Sequence, residues 1–170
     1  MRTYVVNTYE RNLKMRIRDL TLEDFDTVNN LFMQLHNLHV AHRPDIFKEI
    51  EKPTTPEAWG FEASLGDENK ILLGAELDGE IVGLCFVIMR KPKNEVLVPR
   101  ICAFIDDIVV DENHRENGIG TALYNEAVRR AKLYGAVSVE LGVSIFNTAA
   151  LDFYKSLGMT VQSYKMEKSI

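Results

Sequence analysis

The residues best suited to chemistry lie between positions 105 and 123, which read IDDIVVDENHRENGIGTAL. An apolar run, Ile108, Val109 and Val110, ends in polar residues; Arg115-Glu116-Asn117-Gly118-Ile119-Gly120-Thr121 then opens a segment with apolar residues at Ile119, Leu123, Ala127, Val128 and Ala131. That spacing predicts a strand, a turn and a helix. The first turn of a helix leaves its backbone N–H groups without partners, and the helix dipole makes that end partly positive, so such a start attracts phosphate. Glycine at 118 and 120 removes the Cβ atoms that would hold an anion away from those donors. Thr121 can add a hydroxyl and Arg115 a charge. A Gly-x-Gly before a helix also suits any sharp turn, so taken alone the motif leaves a plain turn open. It has neither the third glycine of a dinucleotide-binding turn nor the Gly-Lys-Ser/Thr of a triphosphate loop.

A second reactive stretch runs Asn147-Thr148-Ala149-Ala150-Leu151-Asp152-Phe153-Tyr154-Lys155-Ser156-Leu157-Gly158-Met159. A phenol with an ordinary pKa near ~10 can hand a proton to a leaving group while staying un-ionised at neutral pH. Tyr154 shares helical spacing with Ala150, Phe153 and Leu157, so a core aromatic is the plainer alternative. Asn147 stands where it can cap that helix. Asp106 and Asp107 precede the apolar strand, and alternation sends them to opposite faces. Either can take a proton from an amine, or serve as a hydrogen-bonded structural carboxylate. His36, His39 and His42 are spaced by three, which could set two imidazoles on one helix face. No cysteine or carboxylate at supporting spacing joins them, so no metal is expected there, only a surface or acceptor-pocket role. His114, beside the turn, is expected in solvent. Cys102 has no histidine or other base to make it a nucleophile.

The two stretches resemble the two signatures of the GNAT N-acetyltransferase superfamily. Arg115-x-x-Gly118-x-Gly120 is similar to its Arg/Gln-x-x-Gly-x-Gly/Ala motif, and Asn147-x-x-Ala150-x-x-x-Tyr154-x-x-x-Gly158 to Asn-x-x-Ala-x-x-x-Tyr-x-x-x-Gly-Phe. The resemblance implies acetyl-coenzyme A as co-substrate, its pyrophosphate held by Arg115, Glu116, Asn117, Gly118, Ile119, Gly120 and Thr121. It implies that the pantetheine lies like an added strand against Ile108, Val109 and Val110, with Asn147 and Ala150 also in contact. Tyr154 would then protonate the departing thiolate. The run Ile105-Asp106-Asp107-Ile108-Val109-Val110 resembles the Leu-Glu-Asp-Phe-Phe-Val run of diamine acetyltransferases, which puts Asp106 at the position of the proposed base. Aspartate there is one methylene shorter than glutamate, which favours a bridging water. Two departures stand out: Glu116 where the family often has glycine, and Met159 for the usual Phe. The first fifty residues match no acceptor class.

Around these stretches the pattern supplies a scaffold. Residues 15–18 read as a strand. Thr21-x-x-Asp24 forms a capping box before a helix with Phe25, Val28, Leu31, Phe32 and Leu35 at helical spacing. A polar connector over 43–56 leads to a second helix with Thr55 as cap, Pro56 at its first position and Trp59 inside. Strands over 71–77 and 80–90 flank Asp78-Gly79, a strong hairpin signal. A loop over 92–99 precedes a strand over 100–110. The phosphate helix, a strand over 137–143, a helix over 148–157 and a last strand over 159–166 complete the chain. This order is α+β. It is also the order of the GNAT acyltransferase fold, which implies a mixed, mostly antiparallel twisted sheet of about six to seven strands, flanked by helices and splayed at its two central parallel strands. A single domain over 15–170 is expected, after an N-terminal extension or tail over 1–14.

Composition narrows the rest. The 170 residues are 46% apolar, enough for one sizeable core. No apolar stretch approaches the ~20 residues of a membrane span, and the N-terminus has no signal-peptide core, so no membrane partner is expected. Cys85 and Cys102 sit in apolar runs, as reduced thiols of a cytoplasmic protein would. The net charge is −5 with no basic stripe, which argues against nucleic acid. The expectation is direct transfer of acetyl from acetyl-coenzyme A to a primary amine, either polyamine-like or a peptide N-terminus, because the acidic balance attracts a cation. A non-catalytic acyl-coenzyme A sensor or interaction module is the alternative. A homodimer is implied only by the resemblance.

Overall fold

The computed structural model describes residues 4–5, 15–53, 55–92 and 94–170. Among these residues six strands form one sheet in sequence order: β1 (Tyr4–Val5), β2 (Met15–Asp19), β3 (Lys70–Leu77), β4 (Glu80–Arg90), β5 (Cys102–Val110) and β6 (Ser138–Leu141). Neighbours are antiparallel except β5 and β6, which are parallel. Apart from β1, residues 1–14 lie outside the described part, so the expected extension is seen only in that two-residue strand.

Local chemistry sets the elements. Asp78 and Gly79 both take positive φ (50° and 94°), the backbone of a tight hairpin whose twist matches the strands, and they join β3 to β4. The Thr21 N–H donates to Asp24 Oδ2 (2.8 Å), closing the start of α1 (Phe25–His42). Thr55 and Pro56 open a 3-10 turn over Pro56–Trp59; Gly60 (φ 74°) ends it, and α2 (Phe61–Leu65) follows. The expected second helix is thus two short pieces, because a left-handed residue interrupts the hydrogen-bond ladder. Two longer helices follow, α3 (Ile119–Leu133) and α4 (Thr148–Ser156).

Period-two alternation along β3 to β5 sends side chains to two cores. On one face Ile119, Leu123, Ala127 and Ala131 of α3 pack on Leu73, Ala75, Cys85, Val87, Ala103 and Ile105. On the other, Phe25, Val28 and Leu31 of α1 and Phe61 of α2 pack on Leu72, Leu84 and Val109. Both cysteines are buried and free. No helix among the described residues is long and apolar enough to cross a membrane.

Two irregularities mark β5. Phe86 of β4 pairs with Asp107 and Val87 with Ile105, so Asp106 is the extra residue of a β-bulge. And β6 accompanies β5 only from Cys102 opposite Ser138 to Ile105 opposite Leu141. Beyond that point Ile108, Val109 and Val110 keep their β4 partners on one side, and among the described residues no strand pairs with them on the other. The expected last strand over 159–166 is not formed. Val161, Tyr164 and Met166 are exposed, and β6, with four residues, stands at the sheet's edge rather than inside it. A strand exists only where its backbone finds a hydrogen-bonding neighbour, and no ladder joins residues 159–166 to β6.

Candidate active site

The turn between β5 and α3 is organised around Asp111. The Asp111 N–H donates to the Val82 carbonyl (2.9 Å), continuing the strand by one bond. The Asp111 carboxylate then accepts from the Asn113 N–H (2.9 Å), the His114 ring (3.1 Å) and the Gln34 amide of α1 (2.8 Å). The Gln34 bond above all, then His114 and Asn113, pulls its carboxyl down to about 2. Asp111 therefore stays ionised across the ordinary pH range. His114 is half-buried against it, not free in solvent as expected.

After this hub the chain takes left-handed backbone twice, at Glu116 (φ 64°) and Gly118 (φ 75°). For glycine that conformation is free; for glutamate it costs about 1 kcal/mol. Glu116 therefore carries strain at the position where a glycine would have none. Gly118 is the N-cap of α3, and the Ala122 N–H reaches its carbonyl at 3.0 Å, the first intrahelical bond. Ile119, Gly120 and Thr121 precede that bond, so their N–H groups have no intrahelical partner. A Cβ on Gly120 would lie 3.3 Å from the Phe153 ring. The second expected stretch thus packs directly on the first. Arg115 donates from Nε to the Val110 carbonyl (3.3 Å), and Asn117 braces the turn through the His114 and Arg115 carbonyls. No acidic side chain lies in the first turn of α3. A helix start so arranged presents amides and partial positive charge outward.

Beside the turn stand the acid and base candidates. Asn147 accepts from the Ala150 N–H (3.1 Å) and caps α4, whose one buried residue is Tyr154. Burial above all, with Cys85, Asp107 and Tyr124 adding to it, holds the Tyr154 hydroxyl well above the usual tyrosine range. Cys85, pushed up to about 12 by burial, is a neutral thiol opposite Ile108. The bulge separates the two aspartates by environment. Asp106 is exposed. Asp107, paired with Phe86, turns to the α1 face with Val109, and desolvation followed by the Asp106 charge pushes its carboxyl up to about 6, against the pull of His39. Ile108 and Val110 face α3.

Facing this from α1 are the three histidines. A carbonyl can only accept, so the nitrogens at 2.9 Å from Lys48 O (His36 Nε2), Leu35 O (His39 Nδ1) and Leu38 O (His42 Nδ1) carry hydrogens. Their rings join phenylalanines: His39 lies 4.9 Å from Phe47 and 5.7 Å from Phe146, and His42 stacks on Phe146 at 4.5 Å. Among the described residues no group of three histidines, cysteines or acids could hold a metal ion. Arg43, just past α1, donates to both Asp45 and Glu167. Gln34, Phe47, Asp111 and Phe146 were not among the expected site residues. Phe146 alone had a local signal, as an aromatic directly before the Asn147 cap.

This geometry has relatives. Residues 32–159 match the acetyltransferase (GNAT) family. An uncharacterized N-acetyltransferase of Methanocaldococcus jannaschii is 34% identical over 146 residues, which are 84% of this chain and 59% of that protein. An N-alpha-acetyltransferase of Sulfurisphaera tokodaii is 36% identical over 90 residues, 49% of this chain and 53% of that one. The chain therefore spans little more than half the length of these two curated relatives. Among solved structures, the tetramutant of the BH1408 protein from Bacillus halodurans superposes with a TM-score of 0.85 at 31% identity, covering 91% of this chain and 99% of that one. With an α+β sheet that parts between its parallel strands beside an amide-bearing helix start, the chain belongs to the GNAT acetyltransferase family.

Proposed function

We propose that this chain is an acetyl-coenzyme A-dependent N-acetyltransferase that moves an acetyl group to a primary amine by direct attack. The observation that carries it is the gap where β5 leaves β6, flanked by the bare start of α3, the neutral phenol of Tyr154 and the half-buried carboxyl of Asp107. The fit to the coenzyme rests on three features. The left-handed backbone at 116 and 118 and the missing Cβ atoms at 118 and 120 leave the helix amides open to a pyrophosphate, with Arg115 and Thr121 alongside. The free edge of Ile108, Val109 and Val110 offers strand-like partners to the pantetheine amides. Asn147 and Ala150 begin the helix that closes over that edge.

Bound there, acetyl-coenzyme A supplies an activated acetyl thioester. This chain's groups do the rest. The base is Asp107 rather than Asp106, because the bulge leaves Asp106 exposed and turns Asp107 toward α1, the side from which an amine would arrive. Asp107, with its carboxyl near 6, is mostly ionised at neutral pH and takes one proton from the substrate ammonium, freeing the nitrogen lone pair. The nitrogen bonds to the acetyl carbon, a backbone N–H of β5 donates to the thioester oxygen, and the carbon–sulfur bond breaks. Tyr154 gives its phenolic proton to the departing sulfur, the nitrogen's second proton passes to the resulting phenolate, and Asp107 returns its proton to solvent, so amide, free thiol and one released proton balance the reaction. The acidic net charge favours a cationic acceptor, a small amine or a peptide N-terminus. Free, buried cysteines suit a cytoplasmic setting.

The test is thiol release from acetyl-coenzyme A with spermidine, simple alkylamines and peptides bearing a free N-terminus. Amine-dependent release is the expected result. Coenzyme binding without release for any amine would turn the reading to an acyl-coenzyme A sensor.

A further inference from the structure

The packing between α1 and the sheet is largely apolar. Val28 and Leu31 bury against Val109, with Leu35 and Phe86 beside them. Such contacts are strong but non-directional, so by themselves they do not fix how far α1 sits along β5. One side chain supplies direction. Gln34 Nε2 donates to Asp111 Oδ2 (2.8 Å), and Gln34 Oε1 accepts from the Glu112 N–H (3.3 Å), a reach of 77 and 78 residues along the chain. Both ends of the amide are used. A carboxamide donates to the carboxylate and accepts from the N–H at once while staying neutral at every pH, and asparagine is one methylene short. Asp111, meanwhile, directly follows the strand edge and organises the turn that leads to Gly118 and Gly120.

We propose that Gln34 is a positioning residue that locks the cofactor turn to the acceptor helix, so that an amine seated against α1 meets the thioester in fixed register. This rests on the acetyltransferase reading above. A misplacement of about 1 Å between reacting groups can cost on the order of 100-fold in rate. Loss of the lock therefore lowers turnover more than coenzyme affinity, since the turn keeps its own bonds to Asn113, His114 and Val82.

The experiment compares Gln34→Leu and Gln34→Glu with wild type in the full chain. Acetyl-coenzyme A binding is measured by calorimetry, and kcat by thiol release with spermidine and an alanine-led tripeptide, all per folded protein. Gln34→Leu is expected to lower kcat about 10- to 100-fold with coenzyme Kd within about threefold. Gln34→Glu carries the sharper signature. At pH 8 its new carboxylate repels Asp111; toward pH 6 that carboxyl gains a proton, regains a donor to Asp111 and still accepts from the Glu112 N–H. The ratio of variant to wild-type kcat should then rise severalfold between pH 8 and pH 6. The charged and titratable side chains facing this position are Asp111, Glu112 and His114; they are present in both proteins, as is Asp107, so the wild-type profile is the reference against which the added carboxyl is read. A flat ratio, or kcat at the wild-type level in both variants, overturns the proposal while leaving the acetyltransferase reading intact. If wild type itself releases no thiol with either amine, that reading fails and the proposal falls with it.

Discussion

At the start of α3 the groups aimed outward are backbone amides, and a dozen consecutive residues place them. Along α1, on the opposite face of the sheet, the placed groups are side chains drawn from distant parts of the chain. Gln34 meets Asp111 across 77 residues, and Arg43 meets Glu167 across 124. His39 and His42 meet Phe146 from the segment before α4. One region is a local backbone device; the other is a convergence that exists only once the sheet has formed. The contrast suggests a division of labour. The backbone device suits a co-substrate common to a whole family, whereas the side-chain surface can be redrawn for each acceptor without disturbing the turn.

The largest expected effect comes from Tyr154, where the two regions meet. Tyr154→Phe keeps the buried ring and removes only the proton, so kcat should fall roughly 10- to 1000-fold with coenzyme affinity nearly unchanged. Turnover at the wild-type level would make Tyr154 a core residue and leave the thiolate to water. A smaller effect is expected at the backbone device. Gly120→Val places a branched side chain where even a Cβ lies 3.3 Å from the Phe153 ring, so calorimetry should show acetyl-coenzyme A bound at least about tenfold more weakly, ~1.4 kcal/mol. Full affinity in a folded variant would separate the turn from the coenzyme. The smallest effect isolates backbone strain. Glu116→Gly relieves φ 64° but adds freedom to the unfolded chain, so thermal unfolding should shift stability by under about 1 kcal/mol with affinity kept. Lost affinity would mean that the Glu116 side chain itself takes part in binding.

The same contrast governs what is legible in the residues alone. The Asp78-Gly79 hairpin, the cap at Thr21 and the glycine turn before α3 are local, and their residues announce them. The bulge at Asp106 is not local: it arises from how β5 registers against β4, and that one extra residue decides which aspartate faces α1. The strand expected over 159–166 has the right residues, but a strand needs a ladder partner, and β6, the sheet's last strand, pairs only with β5 among the described residues. Gln34 sits unremarked among polar helix residues, since nothing near it in the chain foretells Asp111. His114 was expected in solvent although its partner, Asp111, lies only three residues back: the 3-10 turn that brings the two together has no apolar pattern to announce it.

Which carboxylate serves the amine is the central claim, and pH separates the candidates. The Asp107 carboxyl is raised to about 6 by desolvation and by Asp106, so it must lose a proton before it can act as base. Wild-type kcat/KM should therefore climb as pH rises through about 6 and then level. The same shift bears on stability: a raised carboxyl pKa favours folding below the unfolded value near ~3.9, and that contribution is lost as pH rises through about 6. Asp107→Asn should thus be no less stable at neutral pH. The decisive measurement is kcat/KM against pH for Asp107→Asn and Asp106→Asn, with folding checked at each point. Asp107→Asn should lose at least about tenfold at pH 7 and recover toward the amine's own pKa of ~10, where free amine needs no base, while Asp106→Asn keeps the wild-type profile. A wild-type profile in Asp107→Asn, with the loss appearing in Asp106→Asn instead, would contradict the account.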